Sequence, residues 1–210
     1  MALIKLTQNI PQYWENWYAE GKDTWDLGCA TPALLEFFKH PSCPKKGSVL
    51  VPAAGRGWDA EAWAKRGHSV LAVDFSPTAC DCLENLSQRT QNLRMLNLDM
   101  FLLSPKNKEK GGEKFDIIYD YCTFAGVHPG RRDEYFEMLL KMLKDDGVVV
   151  FFLFPLHEEY SDDYNPPHST TEGELAVRFK GVFKVEKKIK PTKSIKRRAG
   201  REEIWLLRKI

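Results

Sequence analysis

No apolar run in these 210 residues approaches the roughly 20 needed to span a membrane, so the sequence offers no candidate span. The opening segment Met1-Ala-Leu-Ile-Lys-Leu-Thr-Gln8 lacks the long apolar core and cleavage site of a signal peptide, and a cytoplasmic location is expected. An excess of one charge is missing as well. Lys and Arg total 31 against 29 Asp and Glu, and a net +2 selects neither nucleic acid nor an acidic partner. The five cysteines (Cys29, Cys43, Cys80, Cys82, Cys122) are odd in number and irregular in spacing, which suits reduced thiols better than a disulfide framework. Cys80 and Cys82 fall on a predicted helix where i and i+2 diverge, with no partner Cys or His pair nearby, so no metal site is expected. No internal repeat is present. The length suits one well-buried domain over residues 1–210, with N-terminal helices in 1–40 and a core in 48–210.

What the chain does have is alternation. Helical patterns are predicted at Pro11 to Glu20 and from Thr31-Pro32 to Lys39, the latter with threonine as N-cap and proline at the first helical position. Strands are predicted at Ser48 to Val51, His68 to Val73, Leu93 to Leu98, Phe115 to Tyr119, Gly147 to Phe154, Val182 to Lys188 and Glu203 to Ile210. Helices fall between them at Trp58 to Arg66, Ser76 to Gln88, Arg131 to Lys144 and Glu172 to Phe179. The polar run Lys106 to Lys114 reads as a solvated surface loop. Alternating strands and helices imply an α/β fold with a parallel sheet covered on both faces. The last two strands have no helix between them, so the final strand is expected to be antiparallel.

The most informative stretch is Val49-Leu-Val-Pro-Ala-Ala-Gly-Arg-Gly57, with Asp74 closing the next strand seventeen residues after Gly57. Small residues are needed where backbone approaches a ligand closely. A carboxylate at the tip of the second strand can accept hydrogen bonds from ribose hydroxyls. The pair reads as a nucleoside-cofactor site. Gly55-x-Gly57-x-x-Ala60 also satisfies the dinucleotide pattern, which leaves an NAD(P)-dependent oxidoreductase open. Against it stand the 47 residues before the first strand, the delay of the glycines by Pro52, Ala53 and Ala54, and the lack of room for a substrate domain. S-adenosylmethionine has no phosphate, and its methionine end and ribose need what this loop supplies. Asp99 ends the third strand, as an adenine-side contact or a turn aspartate. Asp120-Tyr-Cys-Thr-Phe124 ends the fourth, beyond which ligands of open α/β sheets bind.

Trp14-Glu-Asn-Trp-Tyr-Ala-Glu-Gly-Lys-Asp-Thr-Trp25-Asp26, Thr31-Pro32, the Leu50 to Gly57 loop, Phe115-Asp-Ile-Ile-Tyr-Asp-Tyr121 and Leu143-Lys-Asp-Asp-Gly147 together resemble the thiopurine methyltransferase superfamily. Within it the chain is most similar to the plant and fungal branch acting on halides, thiocyanate and small thiols. The resemblance implies a Rossmann-like class I methyltransferase with a seven-stranded, mostly parallel sheet, an antiparallel final strand, an N-terminal aromatic lid helix and S-adenosylmethionine as cofactor. It places cofactor contacts at Trp14, Tyr18, Trp25, Ala53, Gly55, Asp74, Asp99, Met100 and Tyr121. It implies a monomer more often than an obligate oligomer. Two positions depart from that branch. Ala53 stands where glycine is usual, and Tyr18 where tryptophan is typical, with Trp17 one residue earlier, so either can face the cofactor.

The implied reaction is an in-line displacement by a soft nucleophile, for which no general base is strictly required. Trp14, Trp25, Tyr121 and Phe124 are the candidates for a dry aromatic enclosure. Tyr121, His128 and Arg131 are the candidate catalytic or positioning groups. His128 and Arg131 or Arg132 either orient or deprotonate a thiol or cap the following helix. His157 and His168 flank an insertion whose Tyr160 and Tyr164 are lid candidates or ordinary loop packing. The sequence Asn165-Pro-Pro-His168 resembles the N-P-P-aromatic motif of amino-methyltransferases acting on nucleic acids or proteins. It follows the wrong strand and ends in histidine, and reads as a loop turn. Nine basic residues and one acidic occupy Lys184 to Arg201. Lying between the last two strands, they read as a solvated hairpin away from the catalytic edge, or as a patch attracting anionic substrates, before nucleic acid. A small-molecule partner and no membrane are expected.

Overall fold

The computed structural model describes residues 10–157 and 165–210. Strict alternation of buried side chains sets the architecture. In β1 (Ser48–Pro52), Val49 and Val51 enter one core and Leu50 the other. The same division holds in β5 (Leu143–Leu153), where Val148, Val150 and Phe152 oppose Val149, Phe151 and Leu153. Such strands are apolar on both faces because both faces are covered.

The first core is closed by α2 (Pro32–Phe37), α3 (Trp58–Lys65) and α4 (Pro77–Arg89) through Phe37, Trp63, Leu83 and Leu86. The second is closed by α6 (Arg132–Met142) and α7 (Glu172–Phe179) through Tyr135, Phe136, Leu175 and Phe179. With β2 (Ser69–Asp74), β3 (Leu93–Asn97), β4 (Phe115–Tyr121), β8 (Phe183–Ile189) and β9 (Glu203–Lys209), the seven-stranded order is β3-β2-β1-β4-β5-β9-β8. Pairings from β3 to β5 are parallel, and β9 is antiparallel to both β5 and β8. The expected antiparallel final strand is present, inserted between two others rather than at the edge.

Three departures from the predicted elements have local causes. β5 begins at Leu143, not Gly147, because Leu143 already pairs with Phe115 across a register shift. A short helix α5 (Thr123–Gly126) follows β4, its N-cap Cys122 in the left-handed region at φ 65°. A small parallel pair, β6 (Leu156–His157) and β7 (Thr170–Thr171), brackets residues that include Tyr160 and Tyr164, which lie outside the described residues. The α1 helix (Pro11–Ala19), with no buried residue of its own, lies over the carboxyl edge of the sheet rather than on either face.

Candidate active site

The carboxyl edge of β1, β2 and β4 opens into a cavity of about 400 Å³. Ligand cavities span roughly 300–1,000 Å³, so this one holds a nucleoside-sized cofactor and leaves little beyond it.

The floor is the loop after β1. Ala53 is held at φ 45° and Gly55 at φ 57°, and a Cβ added at Gly55 would meet only the Tyr18 hydroxyl, 3.6 Å away. The turn is therefore an open cradle with backbone facing the cavity. Gly57, at φ 88°, serves packing: a Cβ there would run into the Leu83 side chain. Asp74 closes β2 and is buried. Its Oδ2 accepts the Gly55 N–H at 2.8 Å and its Oδ1 those of Phe75 and Ser76 at 2.8 and 2.9 Å. Burial pushes its pKa up to about 6, against the pull of those N–H groups. Asp99 caps a 3₁₀ turn by accepting the Phe101 N–H at 3.0 Å, which sets Met100 and Phe101 along the wall.

The roof is aromatic. Trp25 is its hub, with ring centroids 5.6 Å from Trp14, 6.0 Å from Trp17 and 5.6 Å from Tyr18. Trp17 and Tyr18 both line the cavity, and Tyr18 is the one that reaches the Gly55 loop. Arg56 pins this roof through ion pairs of 2.9 Å to Asp23 and 2.6 Å to Asp26, with its guanidinium 4.9 Å from the Tyr18 ring centroid. Glu15 pins α1 to the start of α4: it accepts from the hydroxyl of Ser76 and from the N–H and hydroxyl of Thr78, at 3.0 and 2.8 Å. Burial raises its pKa, but these bonds and the Arg56 charge outweigh it and the net shift is downward.

The far end lies beyond β4 and β5. Tyr121 donates its hydroxyl to Glu202 at 2.8 Å. Burial holds its phenol well above the ordinary range and pushes the Cys122 thiol up to about 12. Phe154, Pro166, Pro167, Arg197, Arg198 and Arg201 complete the wall.

Trp14, Tyr18, Trp25, Ala53, Gly55, Asp74, Asp99, Met100, Tyr121 and Arg131 thus all line one cavity. Arg131 does so with its guanidinium 3.7 Å from the Phe101 ring centroid and paired to Glu134 at 2.8 Å. His128 is not among the lining residues; its Nδ1 accepts the Gly130 N–H at 3.0 Å, and its ring faces that of His168. Phe124 belongs to the second core, against Tyr135, Phe136 and Phe151, because α5 turns it away from the cavity. Arg132 is fully buried and ion-paired to Glu174 at 2.6 Å, a packing role. Pro166 and Pro167 lie in a bend, as read from the sequence, and that bend lines the cavity.

The basic segment also differs from expectation. A parallel β8 ends at the carboxyl edge of the sheet, and an antiparallel β9 starts there, so their connection crosses the cavity mouth. It is anchored by Glu36, which accepts the backbone N–H groups of Thr192 and Lys193 at 2.8 Å each. Strand direction alone implies this placement. Phe154, by contrast, carried no distinguishing signal.

Among the described residues no group of three or more His, Cys, Asp or Glu could hold a metal, and no helix is long and apolar enough to cross a membrane. A buried strand-tip carboxylate, an open small-residue cradle and an aromatic roof fit a nucleoside sulfonium.

Comparisons with known proteins agree. The chain is 30% identical over 205 residues to thiocyanate methyltransferase 1 of Brassica oleracea, covering 94% of this chain and 84% of that one. It is 30% identical over 172 residues to a probable thiol methyltransferase 2 of Arabidopsis thaliana, covering 80% and 72%. Its fold matches a Burkholderia thailandensis 1,6-didemethyltoxoflavin-N1-methyltransferase with bound 1,6-didemethyltoxoflavin and S-adenosylhomocysteine (TM-score 0.70, 21% identity, 95% and 86% covered). The family model of thiopurine S-methyltransferase matches residues 10–208. The chain belongs to the thiopurine S-methyltransferase family, and S-adenosylmethionine is its cofactor.

Proposed function

We propose that the protein methylates a small soft nucleophile (a thiol, hydrosulfide, thiocyanate or halide) by in-line displacement in a desolvated aromatic pocket. The observation that carries this is that the acidic groups lining the cavity already hold hydrogen-bond or ion-pair partners, the one unpartnered carboxylate oxygen nearby being Oε1 of Glu202, behind Tyr121. Asp59 accepts from Thr31 and Tyr119, Asp74 and Asp99 from backbone N–H groups, and Asp26 pairs with Arg56. Tyr121 commits its proton to Glu202, and Cys122 is held as the thiol. Asp120 turns to the other side, where it accepts from the Tyr135 hydroxyl. An amine or alcohol acceptor would need a base here; a soft anion needs none. The thiol and thiocyanate methyltransferases among the relatives support the same reading.

Bound in the cradle, S-adenosylmethionine supplies a methyl group activated by its sulfonium. The chain supplies alignment, which can be worth roughly 7–11 kcal/mol in favourable cases. Trp14, Trp25 and Tyr121 exclude water and offer faces to the cation, each contact worth about 0.5–2 kcal/mol. Asp74 orients the ribose, and the Ala53–Gly55 backbone lets the methionine end approach. The small cavity fits a small-molecule acceptor. On this reading the protein works as a monomer and without nucleic acid.

A competition assay with labelled S-adenosylmethionine across thiols, thiocyanate, halides, amines and RNA tests the proposal. Transfer to at least one soft nucleophile, and none to amines or RNA, is expected. Turnover confined to amines or RNA, or no turnover despite cofactor binding, overturns it.

A further inference from the structure

Arg198 is 2% exposed, yet one nitrogen of its guanidinium is buried without a hydrogen-bond partner. Its Nη2 donates to the Trp25 carbonyl at 3.1 Å, at the hub of the aromatic roof. Its Nη1 has no partner. Its face lies over the Tyr121 and Phe154 rings, 4.9 and 5.5 Å from their centroids. Among the described residues it makes no ion pair: Glu202 gives an oxygen to Tyr121, and the adjoining Cys122 thiol is held neutral. Glu202 attracts the guanidinium without pairing to it, so the buried Nη1 donors stay unbonded; leaving them so is costly, and a matching anion relieves that cost.

We propose that Arg198 joins the lid to the acceptor subsite: one edge of its guanidinium fastens Trp25, the other receives a singly charged small anion. This rests on reading the β4–β5 end as the acceptor end. The fork of a guanidinium is rigid, so an anion that fixes one edge fixes the donor to the Trp25 carbonyl as well. Trp25 in turn carries Trp14, Trp17 and Tyr18, the side chains over the cofactor. Acceptor anion and cofactor therefore raise each other's affinity by one common factor. The exposed Arg197 and Arg201 at the same mouth draw anions toward the subsite.

The test is calorimetric titration of S-adenosylhomocysteine, a non-reactive occupant, with chloride partly replaced by thiocyanate at constant ionic strength. In the unaltered protein thiocyanate should tighten S-adenosylhomocysteine about fivefold or more, within the usual range of coupling. Arg198→Lys keeps a charge but loses the fork, and should lower that factor to about twofold or less. Arg198→Met should abolish it. Lys196→Met, which removes an exposed charge in the same segment, should leave it intact. Near-ultraviolet circular dichroism checks that the variants fold, and the lysine variant carries the test if the methionine variant does not.

No thiocyanate effect in the unaltered protein, or an effect surviving in the lysine variant, overturns the proposal. So does a large loss of S-adenosylhomocysteine affinity in chloride for Arg198→Met with no thiocyanate effect anywhere, which would assign the guanidinium to the cofactor carboxylate. Failure of the methyl-transfer reading is distinct: it would leave the coupling factor intact and turnover on soft nucleophiles absent.

Discussion

At the β1–β2 end of the cavity the polar groups answer one another, whereas at the β4–β5 end they do so only in part. Asp74 receives three backbone N–H groups, Arg56 meets two aspartates, and Glu15 takes three donors from Ser76 and Thr78. At the other end Nη1 of Arg198 and Oε1 of Glu202 are buried without partners, and Cys122 holds a left-handed backbone that favours glycine. The first end has its polar groups paired before any ligand enters. The second, on the proposal above, is completed by the acceptor. A methyltransferase gains from that division, because its cofactor is constant and its acceptor is where selectivity resides.

The contrast can be broken most severely at Asp74. Replacing it with alanine removes a charged acceptor for two ribose hydroxyls, and S-adenosylhomocysteine affinity should fall at least tenfold and towards a hundredfold, about 3 kcal/mol, with the fold intact. Unchanged titration calorimetry would remove Asp74 from the cofactor site. Gly57→Ala forces a methyl group into Leu83 at a positive φ and should cost about 2 kcal/mol of stability, read as a lower denaturant midpoint.

Acidity probes the same end. The folded-state pKa of Asp74, about 6, lies above its unfolded value of about 3.9, so the ligand-free protein loses stability as pH rises between the two. Ribose binding needs the ionised form. Cofactor affinity should therefore be flat above pH 7 and fall about tenfold by pH 5, and Asp74→Asn should abolish that slope. Glu15→Ala unlatches α1 and should weaken S-adenosylhomocysteine about fivefold while speeding amide exchange in α1. The smallest change is expected at Ala53. Glycine there relieves φ 45° and should raise stability by about 0.5 kcal/mol, measured by chemical denaturation.

The paired end was legible because it is nearly contiguous. One strand, one turn and the tip of the next strand carry Ala53, Gly55 and Asp74, so spacing alone brings them together. Phe124 was misplaced because α5, only four residues long, leaves no periodicity by which to tell its inner face. Arg198 was misplaced because its meaning depends on the direction in which β8 and β9 run.

By itself the sequence determined the alternating α/β fold, the nucleoside cradle and the aromatic segment from Trp14 to Trp25. These follow from hydrophobic period, small-residue turns and strand-tip carboxylates, all local quantities. Only the tertiary structure decided which buried polar atoms remain unpartnered. Whether a buried guanidinium finds a partner depends on residues as far apart as Trp25 and Arg198, and no local pattern records that distance.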